Sequence, residues 1–172
     1  MKKLFCILFL STVLNSIFAI GAGVQIGGVP SFPINQDKFY YGTNANITGT
    51  IKFMRIPMAL GAGLEAGNNV EISTFGISAF TDYFFIDKQI KNTWNFYGGL
   101  GLSGRFLFDF DNNFFAGANL RLVTGMNYLV YDNYLELYVQ DAISPGFIKS
   151  LTNDNFIFNV NVPIEAGIRF HF

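Results

Sequence analysis

Most of the residues used in covalent, redox and acid–base chemistry are scarce in this chain. It has one cysteine, Cys6, and one histidine, His171, in 172 residues. Cys6 lies in an apolar leader, too early to be a lipoprotein acylation site, so the chain beyond the leader has no disulfide and no thiol chemistry. No cluster with metal-ligand spacing, no phosphate-cradling loop and no nucleophile–base pair can be assembled from what remains, so no catalytic residue, metal or cofactor is expected. Charge is also scarce. Asp, Glu, Lys and Arg make up 13% of the chain, against roughly a quarter in a typical soluble domain. The net charge of −1 gives no reason to expect nucleic acid as a partner. Long apolar runs are missing as well: none after Ala19 approaches the roughly 20 residues of a membrane helix.

Aromatic residues are abundant instead, at 17%, with 21 phenylalanines. A chain this apolar with no membrane helix is paradoxical for a helical protein. It is not so for a barrel, whose apolar residues occupy alternate positions. The first residues read as a secretory signal. Lys2 and Lys3 precede an apolar run over 4–14, and the small residues Ser16 and Ala19 follow. We expect residues 1–19 to be a cleaved signal peptide and residues 20–172 to form one domain. Ile17 is larger than the small residue usual three positions before such a cut.

Alternation is cleanest at the end of the chain. Val160, Val162, Ile164, Ala166, Ile168, Phe170 and Phe172 share one parity, and Asn161, Pro163, Glu165, Gly167, Arg169 and His171 share the other. A period of two puts one set on each face of a strand. The same pattern predicts eight strands, near 20–29, 44–54, 58–67, 71–84, 93–108, 114–129, 134–143 and 159–172. Turns fall at Arg55-Ile56-Pro57, Gly67-Asn68-Asn69, 87–92, 109–113 and Tyr131-Asp132-Asn133. The longest connections, 30–43 and 144–155, fall on the same side. A signal peptide implies that both termini lie in the periplasm, which puts those two connections outside. The expected fold is all-β: an eight-stranded antiparallel up-and-down transmembrane β-barrel.

With the polar face turned inward, the lumen receives Lys52, Arg105, Arg121 and Arg169, and also Glu65, Asp82, Glu136 and Glu165. Four charges of each sign suit a closed interior, where an unpaired charge costs several kcal/mol. We therefore expect an ion-pair network, with Glu136 on the next strand as the first choice of partner for Arg121. Many remaining inward positions are glycine, which leaves room for long side chains. The rival is a soluble secreted barrel with its polar face in water. That face would need neither charge balance nor so many glycines. Asp141 breaks the pattern. Alternation points it outward, near the outer end of the predicted seventh strand, where interfacial exposure or a bulge would accommodate it. Trp94, Tyr83, Tyr128 and Tyr131 are placed at one rim, and Phe39, Tyr40 and Tyr41 at the other, as interfacial girdles.

Three stretches carry a family resemblance. They are Arg121-Leu122-Val123-Thr124-Gly125-Met126-Asn127-Tyr128, then Leu135-Glu136-Leu137-Tyr138-Val139, then Gly167-Ile168-Arg169-Phe170-His171-Phe172. With these, the chain resembles the small eight-stranded OmpA/OmpX-type outer-membrane proteins, over its last third in sequence and elsewhere in architecture. The resemblance implies the bacterial outer membrane as location and outer-membrane lipid as surroundings. It also implies the outer-membrane assembly machinery and periplasmic chaperones as partners during biogenesis. Ile168, Phe170 and Phe172, the final apolar face, form the expected assembly signal. The resemblance does not imply an activity, because the fold hosts adhesins, anchors, lipid enzymes and minor pores. His171 sits at the periplasmic end, whereas barrel deacylases and omptin-like proteases need an outer-side histidine. No enzyme is expected. The expected role is structural or surface-interacting, through the connections near 30–43 and 144–155, toward an extracellular ligand the sequence does not identify. The alternative is a narrow pore for ions or small solutes.

Overall fold

A computed structural model describes residues 20–34, 42–69, 73–91, 93–152 and 156–172. The expected signal, residues 1–19, and the girdle residues Phe39, Tyr40 and Tyr41 lie outside this set. Among the described residues the chain forms nine strand segments: β1 (Ile20–Pro33), β2 (Gly42–Phe53), β3 (Met58–Asn69), β4 (Ser73–Lys91), β5 (Trp94–Asp109), β6 (Phe114–Val130), β7 (Leu135–Ser150), β8 (Phe156–Asn161) and β9 (Ile164–His171). Each pairs antiparallel with its neighbour. β1 closes the ring by pairing with β2 on one side and with β8 and β9 on the other.

The ring has eight walls because β8 and β9 share one of them. Ser144 faces Asn161 and Asp141 faces Ile164, so the register does not slip between the two segments. Pro163 has no N–H to give to the ladder, and the pairing is interrupted there while the chain runs straight on. This wall is the predicted final strand, begun three residues earlier.

Burial alternates along the walls. In β7, Glu136, Tyr138, Gln140 and Ala142 are buried, and Leu137, Val139, Asp141 and Ile143 are exposed. The exposed set is apolar around the whole ring, for example Ile26, Ile47, Leu64, Ile77, Leu102, Leu120 and Ile164. An outer surface of this kind would be unstable in water and is what a wall facing lipid requires. Aromatic contacts mark both rims. Trp94 packs on Tyr128 at a centroid distance of 4.9 Å, and Tyr134 meets Phe170 and Phe172 at the end with the termini. Phe147, Phe156 and Phe158 pack in series at the opposite end.

Four expectations are corrected. Gly67, Asn68 and Asn69, expected as a turn, are the end of β3 and pair with β2. The connection expected over 144–155 is mostly strand: residues 144–150 continue β7 and pair with β8. One proline and several polar residues there read as loop, but Pro145 sits on the outer face and the buried positions still alternate. The connection near 30–43 is also shorter, since β1 extends to Pro33 and β2 starts at Gly42. The turn expected over 87–92 likewise begins late. Residues 87–91 remain in β4, with register irregularities after Phe84 and Gln89 that shift its pairing to β5.

The longer β7 changes the position of Asp141. It lies halfway between Leu135 and Phe147 on the outer face, not near a strand end. Its partner is Thr124 on β6, whose hydroxyl donates to Asp141 Oδ1 at 2.7 Å. One hydrogen bond does not compensate a carboxyl group facing hydrocarbon. Asp141→Leu should therefore stabilise the barrel in bilayers by about 1–2 kcal/mol, below the cost of a basic residue at mid-depth. Urea unfolding of the barrel in lipid vesicles measures this. A less stable variant would mean that Asp141 has a partner worth more than its desolvation.

Candidate functional site: the barrel lumen

Eight charged residues, Lys52, Glu65, Asp82, Arg105, Arg121, Glu136, Glu165 and Arg169, lie on the inner face, each in an ion pair. They form two groups. In the first, Arg105 Nη1 lies 3.2 Å from Glu65 Oε1. Arg121 holds two carboxylates, with Nε 3.0 Å from Asp82 Oδ1 and Nη2 3.2 Å from Glu165 Oε2. In the second, nearer the termini, Glu136 is the hub. Its Oε1 is 3.0 Å from Lys52 Nζ and its Oε2 is 3.3 Å from Arg169 Nη1. Glu136 and Asp82 are fully buried, and the most exposed of the eight, the Lys52 side chain, is 13% exposed.

The partner expected for Arg121 is corrected here. Glu136 is on the adjacent strand, but its opposite number across the ladder is Leu129. Arg121 instead shares a row with Gly101 and Asp82. Gly101 separates the two charged positions by one strand, and the ion pair lies over its bare backbone. A methyl group on Gly101 would run into Asp82 Oδ1 and the Thr81 carbonyl oxygen. The same device seats the aromatic rings of the lumen. Tyr97 lies over Gly125 and Tyr138 over Gly167, where a Cβ would collide with the ring.

Neutral polar side chains link the charges. Asn44 and Asn46 donate to Glu65 and Glu165. Gln140 donates to Glu165 Oε2 at 2.8 Å and accepts from Tyr97 Oη at 3.1 Å. Asn127 donates to Glu136. Tyr138 donates to Gln25, and the Arg169 guanidinium stacks 3.7 Å from the centre of the Tyr138 ring. Gln25, Asn127, Tyr138 and Gln140 share the inward parity of their strands, but only the three-dimensional arrangement shows that they join the ion pairs. His171 is buried with Nε2 3.2 Å from Glu136 Oε2, out of line for a hydrogen bond.

Apolar layers were not anticipated. Ala59, Phe84, Tyr97, Val123 and Ala142 cluster inside, as do Leu107, Phe115, Ile148 and Ile157 toward the end away from the termini. The parity that places Asp82 inside also places Phe84 there. Ile148 was hidden because its segment read as loop. Apolar and charged side chains share an interior that eight strands make only just wide enough for side chains.

Fold and outer belt together define the class: a small eight-stranded outer-membrane β-barrel. No protein-family model matches the chain, and no curated protein matches it. Solved structures do. The chain is similar to Neisserial surface protein A, NspA, with a TM-score of 0.59 at 14% identity, over 89% of this chain and 97% of that one. Weaker likenesses are to Ail, the attachment invasion locus protein of Yersinia pestis, and to the outer membrane protease OmpT of Escherichia coli. Ail gives a TM-score of 0.36 at 13% identity, covering 88% of this chain and 99% of that one. OmpT gives 0.40 at 10% identity, covering 91% and 98%. At these identities the likeness concerns the fold.

Proposed function

We propose that the protein is a structural or surface-interaction barrel whose lumen is plugged by its own ion pairs. The observation that carries this reading is the pairing of Lys52, Arg105, Arg121 and Arg169 with Glu65, Asp82, Glu136 and Glu165 inside the barrel. A plugged lumen leaves the ends of the barrel as the parts that can meet other molecules. With the termini in the periplasm, the connections beyond Pro33 and Ser150 lie outside, and any extracellular ligand binds there. The barrel is read as non-catalytic. In support, its one histidine is buried against Glu136 at the end that carries the termini. Liposomes containing the purified barrel should not swell in small sugars. Swelling at porin-like rates would replace this reading with the narrow pore.

We also propose that Ile168, Phe170 and Phe172 are read by the outer-membrane assembly machinery. Phe170 and Phe172 are exposed on the outer face, against Tyr134. Deleting Phe172 should lower the amount of folded barrel in cell membranes several-fold, while the same deletion refolds in detergent like the parent. Equal amounts in cells would rule the signal out.

A further inference from the structure

Basic residues are spread unevenly over the barrel. Lys52, Arg105, Arg121 and Arg169 lie in the lumen, and Lys149 is half-buried near the end away from the termini. The other basic residues among those described, Arg55, Lys88 and Lys91, are all exposed. They stand together on one flank of the rim that carries the termini. None of the three has an ion-pair partner among the described residues. Asp87, the acidic residue beside them, faces Tyr97 across the ladder and takes the inward parity. The wall has a step at this flank. β3 begins at Met58, opposite Tyr83, while β4 runs on to Lys91 with only β5 beside it. The turn that carries Arg55 lies at the foot of the step, where the Pro57 carbonyl accepts from Phe84 N at 2.6 Å.

Lys88 stands opposite Phe96 and Lys91 opposite Trp94, so both lysines are on the outer face of the overhang. Trp94 packs on Tyr128, a girdle pair of the kind that marks the boundary between hydrocarbon and water. Met54, Ile56, Phe85 and Ile90 are exposed on the same step. Long basic side chains lay their stems on such apolar surface and keep their charged heads at headgroup level. We propose that this step binds an anionic phospholipid, its phosphodiester held by Arg55, Lys88 and Lys91 and its acyl chains against the apolar residues. A zwitterionic lipid such as phosphatidylethanolamine brings an ammonium group that three unpaired cations repel, so the charge selects an anionic headgroup. A soluble anion or an anionic polymer would use the cations but leave the outward apolar side chains uncovered. With the orientation proposed above, the lipid belongs to the periplasmic leaflet; the site itself does not depend on that orientation.

Trp94 is the only tryptophan of the chain, and its place opposite Lys91 makes its fluorescence a reporter of the lipid in the step. The barrel is refolded into phosphatidylcholine vesicles that contain the same small fraction of either brominated phosphatidylglycerol or brominated phosphatidylcholine, whose bromines quench tryptophan on contact. Phosphatidylglycerol should quench more, with a relative affinity of about tenfold, within what three cations supply at an anionic surface. The preference should shrink as NaCl is raised. Arg55→Gln, Lys88→Gln and Lys91→Gln together should abolish it, while Lys149→Gln, near the other end, should leave it unchanged. Should the triple variant not refold, the two-lipid comparison and its salt dependence on the parent stand by themselves. Equal quenching by both lipids in the parent would overturn the proposal, as would a preference that survives the triple substitution. A parent that shows no lipid preference but sediments with purified peptidoglycan would assign the cations to that polymer instead. Swelling and conductance are separate readouts, so a failure here is distinguishable from failure of the plugged lumen.

Discussion

Arg121→Ala should be among the most damaging single substitutions in the lumen, at about 3–5 kcal/mol, because it leaves buried carboxylates without their cation. Arg121 is the cation between Asp82 and Glu165, and both lose it together. Adding Asp82→Asn should recover part of the loss, since one uncompensated charge is then removed. Adding Glu136→Gln should recover nothing, because Glu136 belongs to the other group and keeps Lys52 and Arg169 neutralised. Equilibrium unfolding in urea of the parent, the single variant and the two double variants measures the couplings directly. A larger recovery from the Glu136 substitution than from the Asp82 substitution would contradict the pairing described above.

Glu136→Gln should be comparably severe, at about 3–5 kcal/mol, and for the opposite charge reason. It leaves Lys52 and Arg169 facing each other around a neutral amide, with His171 alongside. Repulsion should swing the flexible Lys52 side chain away toward the end of the barrel where the termini lie. Arg169 is held more firmly, by the Tyr138 ring and by donation to Thr50. Lys52→Met combined with Glu136→Gln should recover more stability than Lys52→Met alone predicts. Additive losses would mean that the two residues do not share a charge pair.

Much of this was legible in the sequence, because a strand's period of two assigns every residue to a face without knowledge of its neighbours. Lys52, Glu65, Asp82, Arg105, Arg121, Glu136, Glu165 and Arg169 were all placed inward on parity alone. Parity says nothing about register, however, and register decides which inward residues meet. Arg121 finds Asp82 two strands away, across Gly101, and not Glu136 on the next strand. The ends of strands were also poorly legible. Pro145 lay in a stretch that read as loop, yet it sits on the outer face of a strand that continues through it. That misreading hid the extension of β7, and with it the mid-wall position of Asp141 and the inward Ile148.

Closure of the lumen by charge pairs is tested most directly by single-channel conductance in planar bilayers. The parent should be close to silent, and Glu136→Gln should show discrete openings above that baseline. A parent that conducts steadily like an open porin, with no change on Glu136→Gln, would contradict the plugged lumen.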